Sequence, residues 1–278
     1  MGEQFPRTAG LPTQSPLFWV DQKDRYLRQL LIRDIEATTT RRLLVYFANR
    51  VERAQIEQRD VSFIHELWGD VGAAPVDLLL ETIGGATDAT EALVSLIRSM
   101  STDFRVIVPS AAKSNGTLLC LAAKSIVMGA ASELGPIDPA ISGIPCTILA
   151  KPEAEQKDFV LHHAAKDAIK QTQSLAEKLL SSGMLSEHSS ERVSEVVEYL
   201  STRNRYFSHG SVIDHQEARQ LGLAVEYLPP DDQLWQRVWL LYCMYDFDCR
   251  RNRYLKVFEG NARSSAIVTP PGSPAPTS

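Results

Sequence analysis

Two short loops hold the residues whose types and spacing could do chemistry. The first, Thr82-Ile83-Gly84-Gly85, joins an apolar run to a helical pattern. Paired glycines let a backbone approach a ligand closely and aim N–H groups at it. The start of a helix adds a field that favours anions. Such a loop can cradle the oxygen of a tetrahedral intermediate, although a tight strand-to-helix turn uses the same residues. The second loop, Ala111-Ala112-Lys113-Ser114-Asn115-Gly116-Thr117, also follows a strand pattern and opens a helix. A serine there offers its hydroxyl to the positive end of the helix, which stabilises a developing alkoxide; serine is equally a good N-cap. Adjacent parallel strands would bring both loops to the C-terminal edge of one sheet, where α/β proteins bind ligands. A hydroxyl and a pair of N–H donors facing one pocket are the minimum for acyl transfer.

The elements that must position these loops alternate along the chain. Apolar runs at Arg42–Ala48, Val76–Thr82, Arg105–Pro109, Ser125–Gly129 and Ala224–Leu228 read as strands. Helical spacing of apolar residues covers Asp21–Thr38, Asp60–Trp68, Ala89–Met100 and Asn115–Lys124. It returns over Lys157–Ser182, Ser189–Ser201, Asp214–Leu221 and Leu234–Phe258. Strands separated by helices argue for a parallel α/β core. The domain reading is a flexible arm over 1–18, a catalytic-type domain over 19–228, a helical extension over 229–260, and a disordered Pro/Ser-rich tail over 261–278.

Composition narrows the partners. The 278 residues are 44% hydrophobic and 23% charged, an ordinary globular balance that excludes a disordered or fibrous chain. A net charge of −5 gives the whole molecule no attraction for nucleic acid or anionic lipid. The four cysteines form no C-x-x-C pair, which argues against a structural zinc site or a disulfide framework. The expectation is no metal and no cofactor. No secretory signal and no 18-residue apolar span are present, so stable membrane insertion is not expected and a soluble, cytoplasmic protein is.

The text VDLLLETIGG (Val76 to Gly85), VIVPSAAKSNGTLLCLAAKSIVMG (Val106 to Gly129), ELGPIDPAI (Glu133 to Ile141) and HGSVIDHQEARQLGL (His209 to Leu223) resembles the SppA/ClpP superfamily of serine peptidases. Within it, the chain is most similar to the branch named for serine dehydrogenase proteinase (SDH proteinase). The resemblance implies a ClpP/crotonase-like α/β fold of stacked β-β-α units with extra C-terminal helices, assembled as a homo-oligomer, a trimer or a ring. It implies a hydrolase acting on peptides or unfolded protein, with Ser114 as nucleophile and Gly84 and Gly85 as oxyanion-hole residues. The family has Ala after the serine and Pro before the glycines; this chain has Asn115 and Ile83.

The serine needs a base. ClpP-like members use a histidine soon after the serine, and none occurs between Asn115 and Leu161. SppA-like members use a lysine about fifty residues on, a place filled here by Lys166. A Ser-Lys dyad of Ser114 and Lys166 is therefore what the resemblance implies. Lys170, His162 and His163 are alternative bases on the same helix, and Lys113 adjoins the nucleophile. Asp138 reads as a turn former, and His209 and His215 as loop residues. Two other readings compete: a catalytically inactive scaffold of the same fold that works through oligomerisation and partner binding, and a crotonase-type enzyme acting on acyl-CoA.

Overall fold

At the N-terminus a short helix occupies the end of the stretch expected as a flexible arm, and the helix expected from Asp21 begins at Lys23. Helix α1 (Pro16–Asp21) is capped by Ser15 Oγ, and α2 (Lys23–Thr39) follows it and stops at Thr40 in a left-handed conformation. The computed structural model describes residues 15–269 apart from Asp70, Ala73 and Asn204, so most of the arm expected over 1–18 and the last nine residues of the tail lie outside the described residues.

Strand β1 (Arg42–Ala48), helix α3 (Asp60–Trp68), strand β2 (Val76–Glu81), helix α4 (Thr87–Met100) and strand β3 (Phe104–Val108) then alternate. All six residues of β2 are buried, as a parallel strand covered on both faces requires. A two-residue strand β4 (Ala111–Ala112) leads into α5 (Asn115–Leu121), followed by β5 (Ile126–Met128) and the short β6 (Glu133–Leu134). A hairpin of β7 (Ala140–Ile141) and β8 (Ile144–Pro145) passes through α6 (Cys146–Leu149) and α7 (Pro152–Glu155) into the long α8 (Phe159–Ser181). Asp158 caps α8 by accepting from Leu161 N–H. Then come α9 (Ser190–Ser201), α10 (His215–Gln220), β9 (Val225–Tyr227), α11 (Gln233–Asn252), β10 (Tyr254–Glu259) and β11 (Ser264–Val268).

The main sheet has seven strands in the order β11-β10-β1-β2-β3-β5-β9. From β1 to β9 every pairing is parallel, while β10 and β11 are antiparallel additions at one edge. Alternation along β1 serves two cores. Leu44, Tyr46 and Ala48 face one side, packed with α3, α4 and α5; Leu43, Val45 and Phe47 face the other, packed with α2 and α11.

The C-terminal segment differs from the single helix expected over Leu234–Phe258. Helix α11 ends at Asn252 because Arg253 adopts φ 55°, and the chain re-enters the sheet as β10. Lys256 on β10 is buried, and its ammonium pairs with Asp60 at 2.9 Å. Arg28 of α2 bonds Glu259 of β10 at 2.7 Å and also Asp248 of α11, so the two ends of the chain are joined through buried charge. Trp235 docks α11 on the core: a Cβ on Gly129 would come within 2.1 Å of its indole ring.

Candidate active site

The main sheet delivers both chemistry-bearing loops to one place. Thr82, just beyond β2, pairs with Ala112 of β4: Thr82 N–H donates to Ala111 O (2.9 Å) and Lys113 N–H donates to Thr82 O (3.0 Å). The loops then touch. A Cβ on Gly84 would lie 2.7 Å from Ser114 Cβ and 2.8 Å from Lys113 O, and Gly84 holds φ +100°. Only glycine fits that position, on both steric and conformational grounds. Gly85 runs edge to edge with Ile56, whose backbone nitrogen would be 2.3 Å from any Cβ added there.

Ser114 itself sits at the turn between β4 and α5 with φ 53° and ψ −119°. A non-glycine residue in that region stores strain, which persists where the surroundings over-determine it and clusters at functional sites. Its neighbour Asn115 explains why an asparagine stands there. Asn115 Nδ2 donates to Gly85 O at 2.6 Å and reaches Thr87 Oγ1 at 3.4 Å, which ties the helix that follows Ser114 to the glycine loop. Of the two glycines, Gly84 spends its N–H on Thr82 Oγ1 at 3.0 Å. The N–H groups of Gly85 and Asn115 have no hydrogen-bond acceptor among the described residues.

Lys113 is buried and points away from the serine. Its ammonium meets three acceptors, one for each N–H: Leu134 O at 3.1 Å, Ser211 O at 3.0 Å and Glu133 Oε2 at 3.1 Å. Burial lowers its proton affinity, and the Glu133 contact opposes that. Behind the loops, Glu81 at the end of β2 is buried. Its Oε2 accepts from Ala111 N–H at 2.9 Å, while Oε1 has no hydrogen-bond partner and lies 3.6 Å from Arg50 Nη1. Burial pushes the Glu81 carboxyl up to about 8, against the Ala111 bond and the Arg50 charge.

The base candidates on α8 are scattered. Lys166 and Lys170 are exposed, and among the described residues neither side chain makes a hydrogen bond or ion pair. Helix α8 does cross near the site, because Gln171 Nε2 donates to Asp88 of α4 at 2.7 Å, one residue from the Thr87 that Asn115 reaches. His162 is buried with Nδ1 3.0 Å from Leu149 O, and the His163 ring packs tilted against Phe159 at 4.3 Å between centroids. Both are engaged at the α6–α8 end.

One pair escaped the sequence reading. Asp138 and His209, taken there as a turn former and a loop residue, are 2.7 Å apart between Oδ1 and Nδ1. They lie 71 positions apart in the chain, and neither carries a local signal of the other.

Among the described residues, no group of three or more His, Cys, Asp or Glu is arranged to hold a metal ion. Among them also, no helix is long and apolar enough to cross a membrane.

The family model of ClpP-like SDH-type serine proteinases matches residues 69–255. Two uncharacterized proteins of Methanocaldococcus jannaschii are similar to this chain. MJ0137 is 32% identical over 165 residues, covering 57% of this chain and 56% of its own length. MJ1495 is 26% identical over 157 residues, covering 54% and 52%. The chain thus spans about half the length of these curated relatives. Among solved structures, a ClpP1 point mutant from Listeria monocytogenes superposes with a TM-score of 0.46 at 16% identity, covering 75% of this chain and 99% of that one.

Proposed function

Since the chain belongs to the family of ClpP-like SDH-type serine proteinases, we propose that it cleaves peptides or unfolded protein segments through an acyl-enzyme on Ser114. The observation that carries this reading is the contact of a strained, half-buried serine with a glycine loop whose neighbouring amides are unengaged. In the reaction, Ser114 Oγ bonds to the scissile carbonyl carbon as its proton passes to a base. The carbonyl oxygen, now negative, accepts from Gly85 N–H and Asn115 N–H. Preorganised donors of this kind are worth about 3 kcal/mol each in the transition state. Collapse breaks the C–N bond, the amine leaves with the proton, and water repeats the sequence to release the acid.

Gly84 serves this cradle by position and Gly85 by its N–H. A Ser-Lys dyad with Lys166 is supported by the crossing of α8 near Thr87. It requires that something desolvate the Lys166 amine, since a lysine in water keeps its proton at neutral pH. Apposition of a second copy in a homo-oligomer would do so. The scaffold reading is supported by a different observation: among the described residues no base is hydrogen-bonded to Ser114 Oγ. One experiment separates the two. A fluorophosphonate probe should label the wild-type chain, and Ser114→Ala should abolish labelling together with any peptide cleavage. A wild-type protein that takes no label, or a variant that labels unchanged, removes Ser114 as nucleophile.

A further inference from the structure

We propose that Arg50 is a positioning residue for Ser114: its guanidinium bridges the side chains that fasten the short strand leading to the serine. This rests on the reading of Ser114 as nucleophile and adds the group that fixes where its hydroxyl stands. Strand β4 consists of Ala111 and Ala112 alone, and two places on Ser114 holds φ 53°. A strand that short makes few ladder bonds, and a strained turn persists only where its surroundings over-determine it. The fastening therefore has to come from side chains. Glu81 Oε2 accepts from Ala111 N–H at 2.9 Å. Glu133 holds the strand at both ends: its N–H donates to Ser110 O at 2.8 Å, and its Oε2 lies 3.1 Å from Lys113 Nζ.

Arg50 reaches all of these anchors. Its Nη1 lies 3.1 Å from Ser110 Oγ and 3.6 Å from Glu81 Oε1, and its Nη2 lies 3.4 Å from Glu133 Oε1. Among the described residues its guanidinium makes no other hydrogen bond or ion pair. One planar fork thus closes a chain of alternating charge, Glu81 to Arg50 to Glu133 to Lys113, that begins on the Ala111 amide and ends on the residue before Ser114. The arginine is itself pinned. It stands in the turn after β1, where Asn49 N–H donates to Leu255 O at 2.8 Å and Asn49 Nδ2 donates to Tyr254 O at 3.0 Å. The tie therefore runs from β1 and β10, through Arg50, to the strand that leads to Ser114.

Glu81 shows why an arginine is needed there. Its Oε1 is buried without a hydrogen-bond partner, and an open acceptor inside a protein costs free energy. Arg50 is the cation facing it, and it shares its charge with Glu133. A lysine ammonium is a single point charge and cannot span both carboxyls with the same geometry. Arg50 does not touch Ser114, so it acts through Ser110, Glu81 and Glu133. Acylation requires the hydroxyl within about 3–3.5 Å of the carbonyl carbon, and a misplacement of about 1 Å costs about a hundredfold in rate. Loss of the guanidinium releases the strand at Ser110 and Glu133 together.

The test is fluorophosphonate inactivation of the full chain, resolved into a maximal rate and a half-saturating concentration, with circular dichroism as the folding check. Arg50→Met should lower the maximal rate about ten- to a hundredfold and leave the half-saturating concentration within about twofold of wild type. A residue that only stabilises the fold would leave both unchanged in folded protein. Arg50→Gln serves the same purpose should the methionine variant fail to fold, and Arg50→Lys should restore part of the rate. Arg50→Met combined with Glu133→Gln should react within about twofold of the slower single variant, because the two side chains act as one unit. Arg59→Met, which removes an exposed arginine 2.8 Å from Glu57, should react at the wild-type rate. Folded Arg50 variants that react at the wild-type rate, or a double variant whose losses multiply, overturn the inference while leaving Ser114 as nucleophile. A wild-type chain that takes no label overturns both.

Discussion

Replacing Glu81 by glutamine separates the charge of a buried carboxyl from the shape it fills. Glu81 is 1% exposed and supports the strand that leads to Ser114 by accepting from Ala111 N–H. Burial raises its carboxyl from 4.5 to about 8 in the folded protein. The folded state therefore holds a proton that the unfolded chain releases once the pH passes about 4.5. Stability from this group is fully present below that pH and is lost as the pH climbs through about 8. At 1.36 kcal/mol per tenfold change in proton affinity, the gap between the two values sets a ceiling of about 5 kcal/mol on the loss. Glutamine keeps an acceptor for Ala111 but turns its amide N–H₂ toward Arg50, so Glu81→Gln costs something when Glu81 is neutral. Urea unfolding followed by tryptophan fluorescence across pH gives the answer. The stability of Glu81→Gln relative to wild type should rise by a few kcal/mol between about pH 6 and about pH 9.5. A difference that stays constant over that range would refute the argument that the buried carboxyl is protonated in the native state.

Two glycines give further tests. Gly84→Ala places a methyl within 2.7 Å of Ser114 Cβ at φ +100°, so fluorophosphonate labelling should fall sharply and stability by about 1–3 kcal/mol; unchanged labelling would mean that the loops are not in contact. Gly129→Ala drives a methyl into the Trp235 ring, and the displaced helix α11 should show as a red-shifted tryptophan emission with about 1–3 kcal/mol lost in urea unfolding.

The parts of this fold legible in the sequence were those where burial is two-sided. The run LLVYFA can be little but a strand covered on both faces, because six apolar residues in a row suit no half-exposed element, and VDLLL reads the same way with Asp77 as its one polar residue. The two loops follow directly, since each sits where such a run stops. The end of α11 was not legible. Aromatics and arginines from Trp235 to Phe258 satisfy a helical spacing as readily as a strand's, and the left-handed stop is made by Arg253 instead of the glycine that usually announces one. Within the site, Ser114 was visible from its turn and helix start. The difference between Gly84, whose N–H is occupied by Thr82, and Gly85, whose N–H has no acceptor among the described residues, was not, because backbone donors of neighbouring glycines look alike in sequence. The Asp138–His209 pair depends on a strand pairing through Leu134 and Ile213, a contact that no local pattern encodes.

The position of β1 bears on how this protein can be dissected. Similarity to the family begins at residue 69 and stops at 255, yet β1 (42–48) lies between β2 and β10, inside the sheet. A fragment trimmed to the matched stretch would strip β2 of its parallel neighbour and leave Asp60 and Glu259 behind with the discarded ends. The stretch matched by the family model and the set of strands that the sheet joins are thus different lengths of chain, and any minimal piece made for study has to be cut by hydrogen-bond ladder, not by resemblance.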